Sequence, residues 1–221
     1  METQVTTPEV RPAPVAEDAA PRAGTRVIAR RFLVVMVLVL LDLWSKAAVF
    51  AWLQPLARAG ELQYDACGHE RFPLLGDWLT FYLELNPGAA FGQLDSVPYL
   101  LVFGRIGAAL FLIWLVVRAP LGRPVFNCAL ILVLAGALGN LYDNLLRVRD
   151  LDKDAFHEHR PFGPVRDFID VYFAQWNWHF PTFNVADSCI TVGAVLLFAT
   201  ALFAPKPSAP RPGAPKPAAK G

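Results

Sequence analysis

Four apolar stretches, roughly Val27–Leu53, Pro98–Val117, Val125–Leu146 and Val185–Ala204, are each long enough to supply the ~20 helical residues that cross a bilayer core. Lipid offers the backbone no hydrogen-bond partners, so each run is expected to be an α-helix that satisfies its own amides. Composition agrees, because 55% of the 221 residues are hydrophobic and only 18% are charged, against about a quarter charged in soluble domains. The first run reads as a span rather than a cleaved leader: it is long, follows a polar tail and has no clear small-x-small exit. With 20 Lys+Arg against 19 Asp+Glu, no charge excess is available to hold a nucleic acid. Cys67, Cys128 and Cys189 are scattered and read as small buried hydrophobes.

Lys and Arg are retained on the cytoplasmic side of a bilayer, which orients the spans. Arg11, Arg22, Arg26, Arg30 and Arg31 precede the first span, Arg118 and Arg123 sit in the short turn between the second and third, and Lys206, Arg211, Lys216 and Lys220 follow the fourth. The Arg58–Asp95 loop has two basic residues against six acids and is expected outside. Both termini are then cytoplasmic. Residues 1–26 and 205–221, rich in Pro and Ala, cannot build a core and are expected to be disordered tails around a membrane domain of residues 27–204. Leu79–Asn86 is rich in strand formers and stops at Pro87-Gly88, so a short β element is expected on the outer surface. Trp176, Trp178, His179 and Phe180 suit an interfacial aromatic belt.

Ionisable side chains in the spans carry the functional signal, because each costs at least ~2.5 kcal/mol at mid-bilayer unless partnered. Asp42 and Lys46 lie four apart on one helix face and are expected to pair. Asn140 and Asp143 close the third span as it reaches the outside, Asp187 opens the fourth, and Asn86, Asp167 and Asn184 lie in the loops beside these ends. Topology therefore gathers them at one interface. Interhelical glue by hydrogen bonding is the competing structural explanation.

Several chemistries fail on geometry. Ser45 and Lys46 are adjacent on a helix and do not face each other; His157 and His159 diverge and lack a third metal ligand; Cys189 has no histidine at a helical neighbour position. Paired carboxylates fit best, because two close aspartates share one proton, so that one can activate water while the other donates to a carbonyl oxygen. A non-enzymatic transporter or assembly protein is the alternative. Its ionisable groups would sit near mid-bilayer with paths to both sides, whereas these cluster toward one interface.

The residues resemble the lipoprotein signal peptidases, or signal peptidase II. The match comprises Asp42-x-x-x-Lys46, Asn86-Pro87-Gly88-Ala89-Ala90-Phe91-Gly92, Gly136 to Asp143, Val165-Arg166-Asp167-Phe168-Ile169-Asp170 and Phe183-Asn184-Val185-Ala186-Asp187-Ser188, in the family's order over roughly residues 30–203. The resemblance implies catalytic aspartates at Asp167 and Asp187. Supporting positions would be Asp42, Lys46, Asn86, Gly88, Asn140, Asp143, Asn184 and Ala186. It also implies cleavage of diacylglyceryl-modified prolipoproteins before the lipidated cysteine, at the outer face of the bacterial cytoplasmic membrane. Membrane lipids would be partners and globomycin an inhibitor, with neither cofactor nor metal required.

Two departures stand out. Asn144 follows Asp143 where the family usually has an arginine, and Asp167 comes 24 positions after Asp143, with a charged Arg147–Arg160 stretch between them. A catalytically degenerate member is therefore a further alternative. The expected fold is an all-α integral membrane protein, four transmembrane helices with a small extracytoplasmic β element.

Overall fold

The computed structural model describes residues 23–64, 69–88, 96–146, 161–176 and 178–203. Residues 1–22 and 205–221 of the expected tails, the Arg147–Arg160 stretch with His157-Glu158-His159, the end of the Asn86–Gly92 block and Cys67 lie outside the described residues, whereas Thr25 and Arg26, expected in the N-terminal tail, are helical. Among the described residues, four helices are long and apolar enough to cross a membrane: α1 (Thr25–Ala59), α2 (Pro98–Arg118), α3 (Pro124–Leu146) and α4 (Val185–Leu202). Five strands accompany them: β1 (Gln63–Tyr64), β2 (Glu70–Leu75), β3 (Leu79–Asn86), β4 (Val165–Phe173) and β5 (Trp178–Phe183). All pair antiparallel in the order β1-β2-β3-β4-β5.

The expected all-α class therefore needs correction, because a complete sheet sits on one end of the helices. β3 occupies the expected Leu79–Asn86. The β4–β5 hairpin was hidden by its polarity: Arg166, Asp167 and Asp170 are buried in β4, so its sequence lacks the alternation of a half-solvated strand. Tyr172 and Phe173 of β4 stack on His179 and Trp178 of β5, so those aromatics build the hairpin itself.

At about 1.5 Å per residue, the 35-residue α1 outruns a hydrocarbon core of about 30 Å. Its surplus belongs to the sheet. Val49, Phe50 and Leu53 of α1 join Leu62 and Phe168 in one buried apolar cluster, with Phe72 and Phe81 packed against it. At the other end, Val35 packs with Val116, Ala119, Leu130, Leu134 and Ala135. There Arg31, buried in spite of its charge, donates to the carbonyls of Val116 (2.7 Å) and Ala119 (3.1 Å), closing the C-terminal end of α2. Outward-facing side chains such as Leu40, Trp44, Phe111, Val195 and Phe198 are exposed, as helices that face lipid require.

α3 is the central helix, in contact with all three others. It meets α4 closely because small residues line the seam. A Cβ placed on Gly193 would stand 2.6 Å from Val133 Cγ2 and 2.9 Å from the Ala129 carbonyl oxygen. Gly193→Ala is therefore expected to lower stability by about 1–3 kcal/mol through overpacking. A thermal melt of the purified protein in detergent checks this, and an unchanged Tm would contradict the close α3–α4 seam.

Candidate active site

Between the two apolar clusters lies a polar layer to which α1, α3, β4 and α4 all contribute. Lys46, fully buried, places its ammonium 2.8 Å from Asp42 Oδ2, 2.9 Å from Asn140 Oδ1 and 3.5 Å from Asp143 Oδ2. The i,i+4 spacing of Asp42 and Lys46 is what lets them meet on one face of α1. Asp42 also accepts the backbone N–H of Ala186 (2.8 Å), which ties α1 to the first turn of α4. Asp143 receives the Arg166 guanidinium at 2.7 and 3.3 Å and its backbone N–H at 3.1 Å. This fork fixes β4 at the residue immediately before Asp167.

α4 begins where Asn184, in extended conformation, caps it. The Asn184 Oδ1 accepts from the Asp187 N–H (2.9 Å), and the Asp187 Oδ2 accepts from the Asn184 N–H (3.1 Å). This is a reciprocal capping box, which satisfies two otherwise orphaned donors. The amide nitrogen of the same Asn184 side chain donates to Asp167 Oδ1 at 2.6 Å. Asn140 donates to Asp187 Oδ1 at 2.7 Å. From the far side, β3 contributes Asn86, whose Nδ2 donates to Asp167 Oδ2 at 3.0 Å while its Oδ1 accepts the Gly88 N–H at 3.0 Å. The β3–β4 register, with Asn86 opposite Val165 and Glu84 opposite Asp167, produces that approach.

Asp167 and Asp187 thus come from different elements, share Asn184 as a neighbour and line one cavity of about 680 Å³. Asn86, Asn140 and Arg105 complete its polar wall, and Phe180–Phe183, Ile190 and Val192 supply apolar surface. Burial, reinforced by the charge of Asp187, pushes Asp167 up from an ordinary 3.8 to about 7. A carboxyl group that keeps its proton toward neutrality can serve as an acid there. An apolar cavity with a proton donor and a proton acceptor on one wall can carry general acid–base attack of water on a bound carbonyl.

The site positions implied by the resemblance, Asp42, Lys46, Asn86, Gly88, Asn140, Asp143, Asp167, Asn184, Ala186 and Asp187, take part in this network or its backbone frame. Asp170 does not: it is buried on the other side of β4, paired with Arg71 and accepting from Thr80 Oγ1 (2.9 Å), with His179 Nδ1 at 3.2 Å. Two cations of the site have no role that the sequence assigns. Arg166 stands there only within the Val165–Asp170 motif. Arg105, a lone arginine in the apolar run of α2, donates to the Gly88 carbonyl (3.1 Å) and to the Asn144 side chain. The rule that an ionisable residue in a span needs a partner or a purpose would have found Arg105.

Comparisons with known proteins give the family of the chain. Residues 34–203 match the family model described as signal peptidase (SPase) II. The chain is 36% identical to the lipoprotein signal peptidase of Pseudomonas aeruginosa over 160 residues, covering 70% of this chain and 83% of that one. It is 32% identical to that of Desulforapulum autotrophicum over 178 residues, covering 78% and 91%. The fold is similar to that of a solved bacterial membrane enzyme, with a TM-score of 0.57 at 23% identity over 83% of this chain and 92% of that chain.

The raised pKa of Asp167 has a consequence for stability. Between pH 3.8 and about 7 the unfolded chain has released this proton while the folded chain keeps it, so stability falls across that window and levels off above it. Asp167→Asn removes the titration. Its Tm relative to the unsubstituted protein is expected to be least favourable near pH 4 and most favourable above pH 7, read by thermal denaturation in detergent across that range. A pH-independent difference would show that Asp167 does not titrate in this window.

Proposed function

This chain belongs to the signal peptidase II family, and on that premise we infer that it is a membrane aspartyl endopeptidase. It removes the signal peptide of diacylglyceryl-modified prolipoproteins by cutting before the lipidated cysteine. The observation that carries this reading is the convergence of Asp167 and Asp187 on one largely apolar cavity, each held by an asparagine and both touching Asn184. The presence of the surrounding partners supports an active enzyme over a degenerate one.

The chemistry follows from the two settings. Asp187, in the first turn of α4 with its Oδ1 held by Asn140, acts as base on a water held between the carboxyls. Asp167 carries the shared proton and donates it to the scissile carbonyl oxygen. Water adds to the carbonyl carbon, giving a neutral tetrahedral diol. As the C–N bond breaks, Asp187 returns its proton to the departing cysteine amine and Asp167 recovers one from a diol hydroxyl. The dyad ends as it began.

The substrate is an apolar helix with an attached diacylglycerol, so its scissile bond arrives sideways from lipid at headgroup depth. The position of the polar layer supports that entry. Arg26, Arg30, Arg31, Arg118 and Arg123 gather at the end of the bundle away from the sheet. By the positive-inside rule that end is cytoplasmic, and the sheet and cavity are at the outer face of the cytoplasmic membrane. Both termini then lie inside, and the protein carries out its reaction without a cofactor.

The test is cleavage of a diacylglyceryl-modified lipobox peptide by the purified chain, with globomycin expected to inhibit. Asp167→Asn and Asp187→Asn are each expected to lower the rate by about 10²–10⁴-fold. Asp170→Asn is expected to keep its turnover per folded molecule while melting lower, since breaking a buried ion pair costs about 3–5 kcal/mol. Retained cleavage by either of the first two variants at normal expression would overturn the assignment.

A further inference from the structure

The charged groups around the cavity balance in an instructive way. On the far side of the dyad, two cations face two anions: Lys46 of α1 and Arg166 of β4 are paired with Asp42 and Asp143. These four cancel. Glu84 of β3, opposite Asp167 in register, is only half-buried and shares its charge with solvent. His179, the titratable group of β5, is held at Asp170 on the other side of the sheet. What remains is the dyad with one proton and one negative charge, and Arg105, which lines the same cavity from α2.

Arg105 has no carboxylate at ion-pair distance among the described residues, yet both Asp187 and Asp167 lie within its electrostatic reach. Its guanidinium is anchored instead by neutral oxygens. It donates to the carbonyl of Gly88, at the end of the turn that aims Asn86 at Asp167. It also donates to Asn144 Oδ1, and the buried Asn144 in turn donates to the carbonyl of Gly163 (2.7 Å) at the approach to β4. The cation is thus fixed against the cavity wall without being neutralised there. In a site of low dielectric, a fixed charge of this kind acts at longer range than it would in water.

We propose that Arg105 is a positioning residue for the cleavage reaction: it supplies, from α2, the countercharge that keeps one negative charge on the Asp167–Asp187 pair, and it clamps the Asn86–Gly88 turn to α3. The inference rests on the dyad reading above. Two separable effects follow. Loss of the clamp lowers turnover at every pH. Loss of the charge makes the dyad hold its protons more tightly, so the active singly protonated form develops only at higher pH.

The experiment is the kcat/KM profile against pH for the full chain in detergent or nanodiscs, with a diacylglyceryl lipobox peptide. Arg105→Gln is expected to move the acid limb up by about one pH unit, a tenfold change in proton affinity. Its deficit is therefore tenfold larger on the acid side than on the plateau between the limbs. Arg105→Lys keeps the limb in place, with a uniform loss from the missing second hydrogen bond. Because Arg105 and Asn144 touch, adding Asn144→Arg to Arg105→Gln returns a cation to nearly the same place and is expected to bring the limb back. An Arg105→Gln profile lowered uniformly, with its limbs unmoved, or one identical to the unsubstituted enzyme, would overturn the proposal. Asp167→Asn is measured alongside: its inactivity together with an unmoved Arg105→Gln profile removes only the role of Arg105, whereas its activity removes the dyad reading as well.

Discussion

One ammonium group, that of Lys46, holds the polar layer together. A charge with no exposure to water is tolerated only when each of its donors is met, and Lys46 meets Asp42, Asn140 and Asp143. Each of those partners has a second duty. Asp42 accepts from the start of α4, Asn140 reaches Asp187, and Asp143 grips Arg166 beside Asp167. The geometry of both aspartates is thus inherited from a helix that carries neither of them. The arrangement is stable because leaving any member unpaired in an apolar surround is worse than keeping the set intact.

Asn184 shows how closely structural and chemical roles overlap here. Its carbonyl oxygen does the ordinary work of a helix cap, and its amide nitrogen is left to reach Asp167. A cap of Ser or Thr would close the helix comparably but has one hydroxyl in place of two opposed functional ends. The demand for asparagine therefore comes from the need to face both ways at once. Asp187 is similarly divided between the Asn184 N–H and the Asn140 amide. The first turn of α4 is in this sense part of the site, which is why the tight seam with α3 has chemical as well as structural weight.

The helices were legible in the sequence because apolar runs of that length have one stable form in lipid, and α2, α3 and α4 begin within a residue of where the hydropathy places them. α1 runs past its expected end because Leu53 and Leu56 are covered by the sheet, a tertiary contact that hydropathy cannot anticipate. β3 was legible from its composition and its Pro-Gly stop; β2 contains Pro73 and β4 buries its charges, so neither carries the strand pattern. Among the site residues, Asp42 with Lys46 follows from helical spacing alone. That Asp167 rather than Asp170 turns to the cavity depends on the β3–β4 register and on the grip of Asp143 on Arg166, both long-range facts. Arg105 is legible as a charge within an apolar run, but its acceptors, a loop carbonyl and Asn144, are close to it only in space.

The pairing of β3 with β4 brackets α2 and α3, so the two strands that carry Asn86 and Asp167 are separated along the chain by two complete spans. During synthesis the earlier strand must wait until both of those helices have been threaded and the later strand has emerged. Asp187 arrives later still, at the head of the last helix. A half-inserted chain therefore lacks one wall of the cavity, and full integration into the bilayer is the step that brings the two aspartates and their asparagines into one layer.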